Sequence, residues 1–479
     1  MTTADYDKKK KKAILSGDFF NEIREHFSVD NPAARFSRGF SFIPKRLYSI
    51  TPTGQFDIGL IPDIKNFLLE KQYNTTLDVS VDAKQALNPE IKATVNNSLS
   101  ISLRDYQQDA VAGCLKQGRG ISVLGTGAGK TLIIASLLES VFQNSKNKAT
   151  FKCLVVVPDL GLVEQTFGDF AEYKVSFSYS KWTGSHTPNL ESNIIIANSA
   201  ILQSQFEKND WIKFVDVVVI DECHKLSSGN KITKLIQKIN TYNKFGFTGT
   251  LPETNIDKWN IIGKVGPVLI EKSSHFLREN KFLTSAVVKI FELHYLNGPI
   301  RPTTTNGKNE KYRNELDFIY TNSFRNKVIT TTCSNFKNNC LILVNHLDHG
   351  ERLFDILSNQ LKDRQVFFIK GEVEVEVRNE IKKLMELHNN IICVAMSSIF
   401  STGVNIKNIH MIVFASGGKS FIRTVQSIGR GLRLHNEKQQ LIIIDISDAL
   451  EYGKKHSIKR KEIYTKEQIT FTEHIIMQK

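Results

Sequence analysis

Leu124-Gly-Thr-Gly-Ala-Gly-Lys-Thr131 is the stretch whose reading decides the fold. The apolar run Ile121–Leu124 leads into it, and a helical stretch, Leu132–Phe142, leads out. A buried strand that ends in a glycine-rich turn and passes directly into a helix is half of a parallel α/β unit. Glycines in that turn let successive backbone N–H groups converge on phosphate oxygens. Gly125, Thr126, Gly127, Ala128 and Gly129 supply the cradle, Lys130 the charge for the outer phosphates, and Thr131 a hydroxyl for Mg2+. Leu124 stands where the pattern G-x-x-x-x-G-K-[ST] begins with glycine, but the spacing of the three later glycines is kept.

A second stretch, Val217-Val-Val-Ile-Asp-Glu-Cys-His224, completes the chemistry. Its apolar run carries Asp221 to a strand tip, where a carboxylate can hold the metal shell, and Glu222 can orient and deprotonate an attacking water. His224 reads as a coupling residue; on its own it could equally be a metal ligand or a loop histidine. The nucleotide implied by both stretches is ATP with Mg2+.

Further apolar runs ending in turn residues extend the pattern on both sides. Cys153–Val157, Asn193–Ala197, Val215–Ile220 and Phe245–Thr248 join Ile121–Leu124 in one set. Cys340–Val344, Val366–Ile369, Ile391–Ala395, Met411–Ala415 and Leu441–Asp445 form another. The spacing predicts two successive parallel-sheet α/β lobes, residues 96–272 and 273–452. Residues 1–95 hold no nucleotide motif and read as a small α+β accessory domain, with strands over Arg35–Phe42 and Arg46–Ile50 and a helix near Pro62–Gln72. Residues 453–479, opening Gly453-Lys-Lys-His-Ser-Ile-Lys-Arg-Lys461, read as a basic, helical tail.

With 479 residues, several domains are expected. The net charge of +14 favours a polyanionic partner, since neutralising phosphates releases condensed counterions. No apolar run reaches the ~18 residues that span a bilayer, so no membrane partner is expected. The six cysteines lie far apart, which argues against a zinc ribbon or disulfide framework and suits a reducing cytoplasm.

In the second set, Gln426-Ser-Ile-Gly-Arg-Gly-Leu-Arg433 places two permanently charged guanidinium groups at helical spacing, suited to gripping a transferring phosphoryl group. Gln426, Arg430 and Arg433 are therefore catalytic candidates beside Lys130, Asp221 and Glu222.

The order of these stretches resembles superfamily 2 helicases, over about residues 103–433. Leu103-Arg-Asp-Tyr-Gln107 resembles the Q-like motif, Asp-Glu-Cys-His motif II, Thr248-Gly-Thr250 motif III, Ser401-Thr-Gly-Val-Asn405 motif V and Gln426–Arg433 motif VI. The resemblance implies RecA-like lobes, Arg104 and Gln107 near the adenine, and Gly403 and Asn405 at the nucleotide. Asn405 departs from the Asp often found there. Pro158 and Ser199 fall at motifs Ia and Ib, whose loops grip the nucleic-acid backbone in the family; read alone, both could as easily be ordinary strand-end turn residues.

Within the superfamily the chain looks most like UvsW-type phage recombination helicases, through its motor motifs and the pattern Phe36-Ser-Arg-Gly-Phe40…Gly59-Leu-Ile-Pro62. That likeness implies branched, forked or single-stranded DNA as substrate, with branch migration, fork reversal, annealing or unwinding as activity. It also implies the host cytoplasm as location and recombination or single-strand-binding proteins as partners. A duplex translocase or RNA helicase without branch migration is the alternative. Arg35, Arg38, Lys45 and Arg46, interleaved with Phe36, Phe40 and Phe42, are the candidate DNA contacts of the accessory domain. These phenylalanines could stack on unpaired bases or form the domain's own core. Removal of residues 1–95 is expected to leave ATP hydrolysis on single strands largely intact.

Overall fold

A computed structural model describes residues 1–36, 43–96, 98–226, 230–299, 308–371, 373, 375–400, 406, 408–416 and 440–479. The chain forms two compact units: Met1–Gly125 with Gly129–Lys272, and Ser273–Lys479 with Thr126–Ala128.

The first unit opens with β1 (Thr2–Asp7) and β2 (Lys12–Gly17), then α1 (Phe20–His26), β3 (Ser28–Asp30), β4 (Arg46–Tyr48) and β5 (Gln55–Phe56). Next come α2 (Ile61–Glu70), β6 (Leu77–Val79) and α3 (Val81–Leu87). A four-stranded sheet runs β5-β2-β1-β6, antiparallel except for the parallel pair β1–β6. A strand over Arg35–Phe42 does not form in the described part. Pro32–Phe36 is a 3-10 turn, because Pro32 fixes φ near its helical value and the Asn31 side chain accepts from Ala33 N–H at 3.1 Å. Residues 37–42 lie outside the described residues.

After α4 (Asp105–Gln117) comes β7 (Gly120–Leu124), and α5 (Lys130–Asn144) follows the glycine-rich loop. Next in sequence are β8 (Cys153–Val157), α6 (Leu160–Tyr173), β9 (Tyr179–Trp182), β10 (Ile194–Asn198) and α7 (Ser199–Gln205). The unit closes with β11 (Val217–Asp221), α8 (Lys231–Lys238), β12 (Lys244–Thr248), α9 (Asn255–Val265) and β13 (Val268–Lys272). These strands form a parallel sheet in the order β13-β7-β12-β11-β8-β10-β9. Val, Ile and Leu runs buried on both faces drive it. The register pairs Asn198 with Val157, Asp221 with Phe247, and Thr248 with Val123, so the loops after these strands emerge along one edge. The α/β crossovers put functional loops at that carboxyl edge.

The amino-terminal sheet is not a free module. One hydrophobic core runs from Ala4 and Ala13 through Ile58, Leu60 and Phe67 to Trp259, Ile262 and Val265 of α9. At Gly59 an added Cβ would come 2.0 Å from the Ile262 carbonyl oxygen, so backbone packs directly on backbone there. Buried Arg119, just before β7, donates to the carbonyls of Ala86, Lys264 and Val265 at 2.9, 2.7 and 2.9 Å. Phe27, Phe56 and Phe67 are buried, so those phenylalanines serve this core.

The second unit contains β14 (Ser285–His294), β15 (Cys340–Val344), β16 (Val366–Ile369), β17 (Ile392–Met396), β18 (Met411–Phe414), β19 (Gln440–Asp448) and β20 (Thr470–Met477). All pair parallel, in the order β16-β17-β15-β18-β19-β14-β20. Residues 453–479 are thus not an appended tail. The helix Glu451–Lys466 returns the chain to the sheet, and β20 completes its edge beside β14. Buried Arg460 of that helix pairs with Asp445 of β19 at 2.8 Å, and the Glu315 carboxylate accepts from Tyr452 and Gly453 N–H at the helix start. β20 is mostly exposed, so it shows no apolar run to read in the sequence.

Candidate active site

Three strand ends build the site: β7, β11 and β12. The turn after β7 is anchored by Gly125 N–H, which donates to the Lys272 carbonyl at 2.8 Å. Gly127 and Gly129 take φ of 88° and 75°, a left-handed backbone that side chains disfavour. Gly129 is also crowded. An added Cβ would come 2.6 Å from Gln107 Nε2, which places the Gln107 amide against the phosphate loop. Gln107 Oε1 accepts from Arg104 N–H at 2.9 Å, so the Q-like stretch is braced at the start of α4. Lys130 and Thr131 open α5, whose amino-terminal N–H groups favour an anion.

Lys130 Nζ lies 3.4 Å from the Leu124 carbonyl and 3.8 Å from Glu222 Oε1. Glu222 has φ 51° and donates its N–H to Asp221 Oδ1 at 2.9 Å, a sharp turn that puts two carboxylates side by side. Burial and the neighbouring Glu222 raise the Asp221 carboxyl. Burial acts on Glu222 in the same sense, but Lys130 and His224 outweigh it and hold Glu222 low. A half-buried carboxylate whose charge is disfavoured until a cation arrives fits a hard divalent ion, with the Thr131 hydroxyl at the start of α5 as the second candidate ligand. Among the described residues no trio of His, Cys, Asp or Glu gathers as a metal site. A Mg2+ here would take one carboxylate and one hydroxyl from the protein and the rest from phosphates and water.

His224 Nδ1 lies 3.1 Å from Glu222 Oε2 and 2.9 Å from Thr248 Oγ1. The Thr248 hydroxyl gives its single proton to the Thr250 carbonyl at 2.8 Å. It can therefore only accept from His224, which assigns the proton to Nδ1. Motifs II and III are thus joined through one imidazole.

On the adjacent strands, the Ser199 hydroxyl donates to the Pro158 carbonyl at 3.0 Å and clamps the loops after β8 and β10 together. In the amino-terminal domain Lys45 and Arg46 are exposed. Arg46 Nη1 pairs with Glu25 Oε2 at 3.1 Å, and the Arg24 guanidinium stacks 3.7 Å over Tyr48, so Arg46 is partly committed within the domain. Arg38 and the Arg35 side chain lie outside the described residues, as do Gly403, Asn405, Gln426, Arg430 and Arg433. The residues missed in sequence are Lys272 and the neighbours that dock the accessory domain. The first sits on β13, which has no fully buried residue.

Two family models and several known proteins match this chain. Residues 100–253 match the family described as type III restriction enzyme, res subunit, and 323–435 match the helicase conserved C-terminal domain. The latter stretch includes Gln426, Arg430 and Arg433. The chain is 28% identical to the ATP-dependent DNA helicase uvsW of Enterobacteria phage T4, over 94% of each chain. It is 24% identical to the DNA 3'-5' translocase XPB2 of Sulfurisphaera tokodaii, over 81% of this chain and 90% of that one. A fragment of a putative HsdR subunit of a type I restriction enzyme from Vibrio vulnificus shares the fold. Its TM-score is 0.58 at 17% identity, over 80% of this chain and 70% of that one.

Two parallel-sheet lobes, a phosphate loop facing an Asp-Glu tip, and these family matches define a nucleic-acid-dependent ATPase of helicase superfamily 2. Within that superfamily the chain is a UvsW-like, ATP-dependent helicase. No helix among the described residues is long and apolar enough to cross a membrane.

Proposed function

We propose that this protein is an ATP-driven motor that remodels branched or forked DNA by branch migration, fork reversal, annealing or unwinding, in the cytoplasm of a phage-infected cell. The observation that carries the reading is the reach of the likeness. It extends over 94% of this chain and of the phage T4 helicase, and so takes in the amino-terminal domain as well as the motor. That domain shares one core with the first lobe, so its exposed basic groups travel rigidly with the ATP-binding sheet.

The residues divide the work as follows. The loop N–H groups and Lys130 bind the phosphates, and Gln107 and Arg104 lie toward the base. Thr131 and Asp221 hold Mg2+, which neutralises charge on the transferring phosphoryl group when bound. Glu222 accepts the proton of the attacking water, and His224 passes the change to Thr248. Arg430 and Arg433, with Gln426, stabilise the transferring phosphoryl group from the second lobe. Pro158 and Ser199 lie on the loops expected to follow one strand, and Lys45 and Arg46 with Arg35 and Arg38 add phosphate contacts at the branch.

The test is ATP-dependent conversion of a synthetic four-way junction and a model fork, with product strands identified on a gel. Conversion to annealed or migrated products supports the reading. Stimulated hydrolysis on duplex or RNA without strand exchange would overturn it.

A further inference from the structure

The rear of the first unit, at the amino-terminal edge of the β7–β12 sheet, holds a concentration of buried positive charge that the motor chemistry does not use. A cavity of about 30 Å³ lies between the accessory domain and this edge, lined among others by Tyr6, Lys11, Asp57, Arg119, Lys244 and Lys264. Lys244 and Arg119 are buried, and neither is hydrogen-bonded to a carboxylate. The single acid, Asp57, is taken by Lys264 at 2.8 Å and Lys12 at 2.5 Å.

Arg119 has five N–H groups and uses three, on carbonyl oxygens. Each lysine has three and uses two. Lys244 bonds the Ile236 and Ile239 carbonyls, Lys11 the Lys238 carbonyl and Asn240, and Lys264 bonds Asp57 and Asn260. Every one of the four cations lining the cavity therefore keeps at least one N–H unspent. Burial raises the Tyr6 hydroxyl, which stays a neutral donor and cannot serve as the counter-anion. Buried charge without a partner is costly, and burial accordingly depresses both Lys244 and Arg119. The space is that of about two waters.

We propose that this cavity binds a single phosphate group, held by Lys244, Arg119, Lys11 and Lys264, which clamps the accessory domain to the first lobe. The chemistry is that of a phosphate monoanion or dianion, either free in solution or presented by a nucleic-acid backbone. The site is distinct from the phosphate loop: Lys244 begins β12, whereas Thr248, at the other end of that strand, faces the catalytic tip.

The experiment uses the full-length chain carrying Lys130→Ala, so that the phosphate loop does not contribute. Melting temperature is followed against inorganic phosphate, with sodium chloride at matched ionic strength as control. A specific site raises Tm on the order of 2 °C for each tenfold rise in phosphate above Kd. The rise should vanish when Lys244→Met is added. Should that double variant fail to fold, crystals of the parental protein soaked in selenate give the same answer through an anomalous peak beside Lys244 Nζ. Fork affinity of Lys244→Met against salt separates the two sources. A lower salt slope identifies a backbone phosphate, and an unchanged slope with lost phosphate stabilisation identifies the free ion. Equal stabilisation by phosphate and chloride, with no selenate peak and unchanged fork affinity, would overturn the proposal.

Discussion

His224 Nδ1 and Thr248 Oγ1 stand 2.9 Å apart, and the direction of that hydrogen bond is determined by the Thr248 proton already being given to Thr250. The imidazole therefore spans Glu222 and the motif III turn. His224→Ala should leave ATP affinity close to parental and reduce DNA-stimulated turnover on the order of tenfold, a typical coupling factor. His224→Asn, which can return an N–H donor to that position, should recover part of the loss. Junctions converted per ATP hydrolysed is the measurement. An unchanged ratio in His224→Ala would remove the coupling role.

The chemical step is tested at the two groups that Lys130 and Glu222 contribute. Lys130→Ala should nearly abolish hydrolysis by withdrawing the phosphate cation. Glu222→Gln should bind ATP and stop turnover, because the amide cannot accept a proton. Nucleotide binding by fluorescence and single-turnover hydrolysis distinguish the two, and parental hydrolysis by Glu222→Gln would show that another group is the base.

Arg430 is expected to act on the transferring phosphoryl group without holding ground-state nucleotide. Arg430→Ala should change ATP affinity only modestly while cutting turnover ~10³-fold, the scale of an arginine finger. Steady-state kinetics with saturating DNA is the check, and stimulated turnover at the parental level refutes the assignment.

The contact between domains makes a pH prediction. Burial raises the Asp57 carboxyl, but Lys264 and Lys12 more than offset this and hold it below the usual range. A carboxyl depressed in the folded state stabilises fully above its unfolded value of about 3.9, and the stabilisation fades as pH falls through the folded value. Asp57→Asn should cost about 3–5 kcal/mol near neutral pH by leaving two lysines facing each other. The gap in Tm between parent and variant should hold from pH 8 to 5 and close below about pH 4. A gap that stays constant into strong acid would show that Asp57 acts by packing alone.

Truncation at residue 95 has a different expected outcome once the shared core is known. Deletion would bare Trp259, Ile262 and Val265, so the shortened chain should lose solubility or cooperativity instead of persisting as a separable motor. Substitution of exposed Lys45 and Arg46 is the cleaner probe of DNA contact. A truncated chain that melts cooperatively and hydrolyses ATP at the parental rate would show that the shared core is dispensable.

Much of the site lay open in the sequence because its chemistry is local. A phosphate loop needs closely spaced glycines before Lys130, and a buried parallel strand needs a run such as Val217–Ile220 to carry Asp221 to its tip. Backbone conformation and apolar burial over five to eight neighbours determine both, so one reading frame contains the information. Strands β9, β13 and β20 carry no such run, since an edge strand faces solvent and its partner, not its own neighbours, makes it a strand. The same holds for Gln107 against Gly129, for His224 against Thr248, and for Asp57 between Lys12 and Lys264. Each pair is brought together by sheet register and domain packing across long stretches of chain. Only the tertiary structure decided those contacts, because a hydrogen bond between distant residues leaves no periodic trace in either segment.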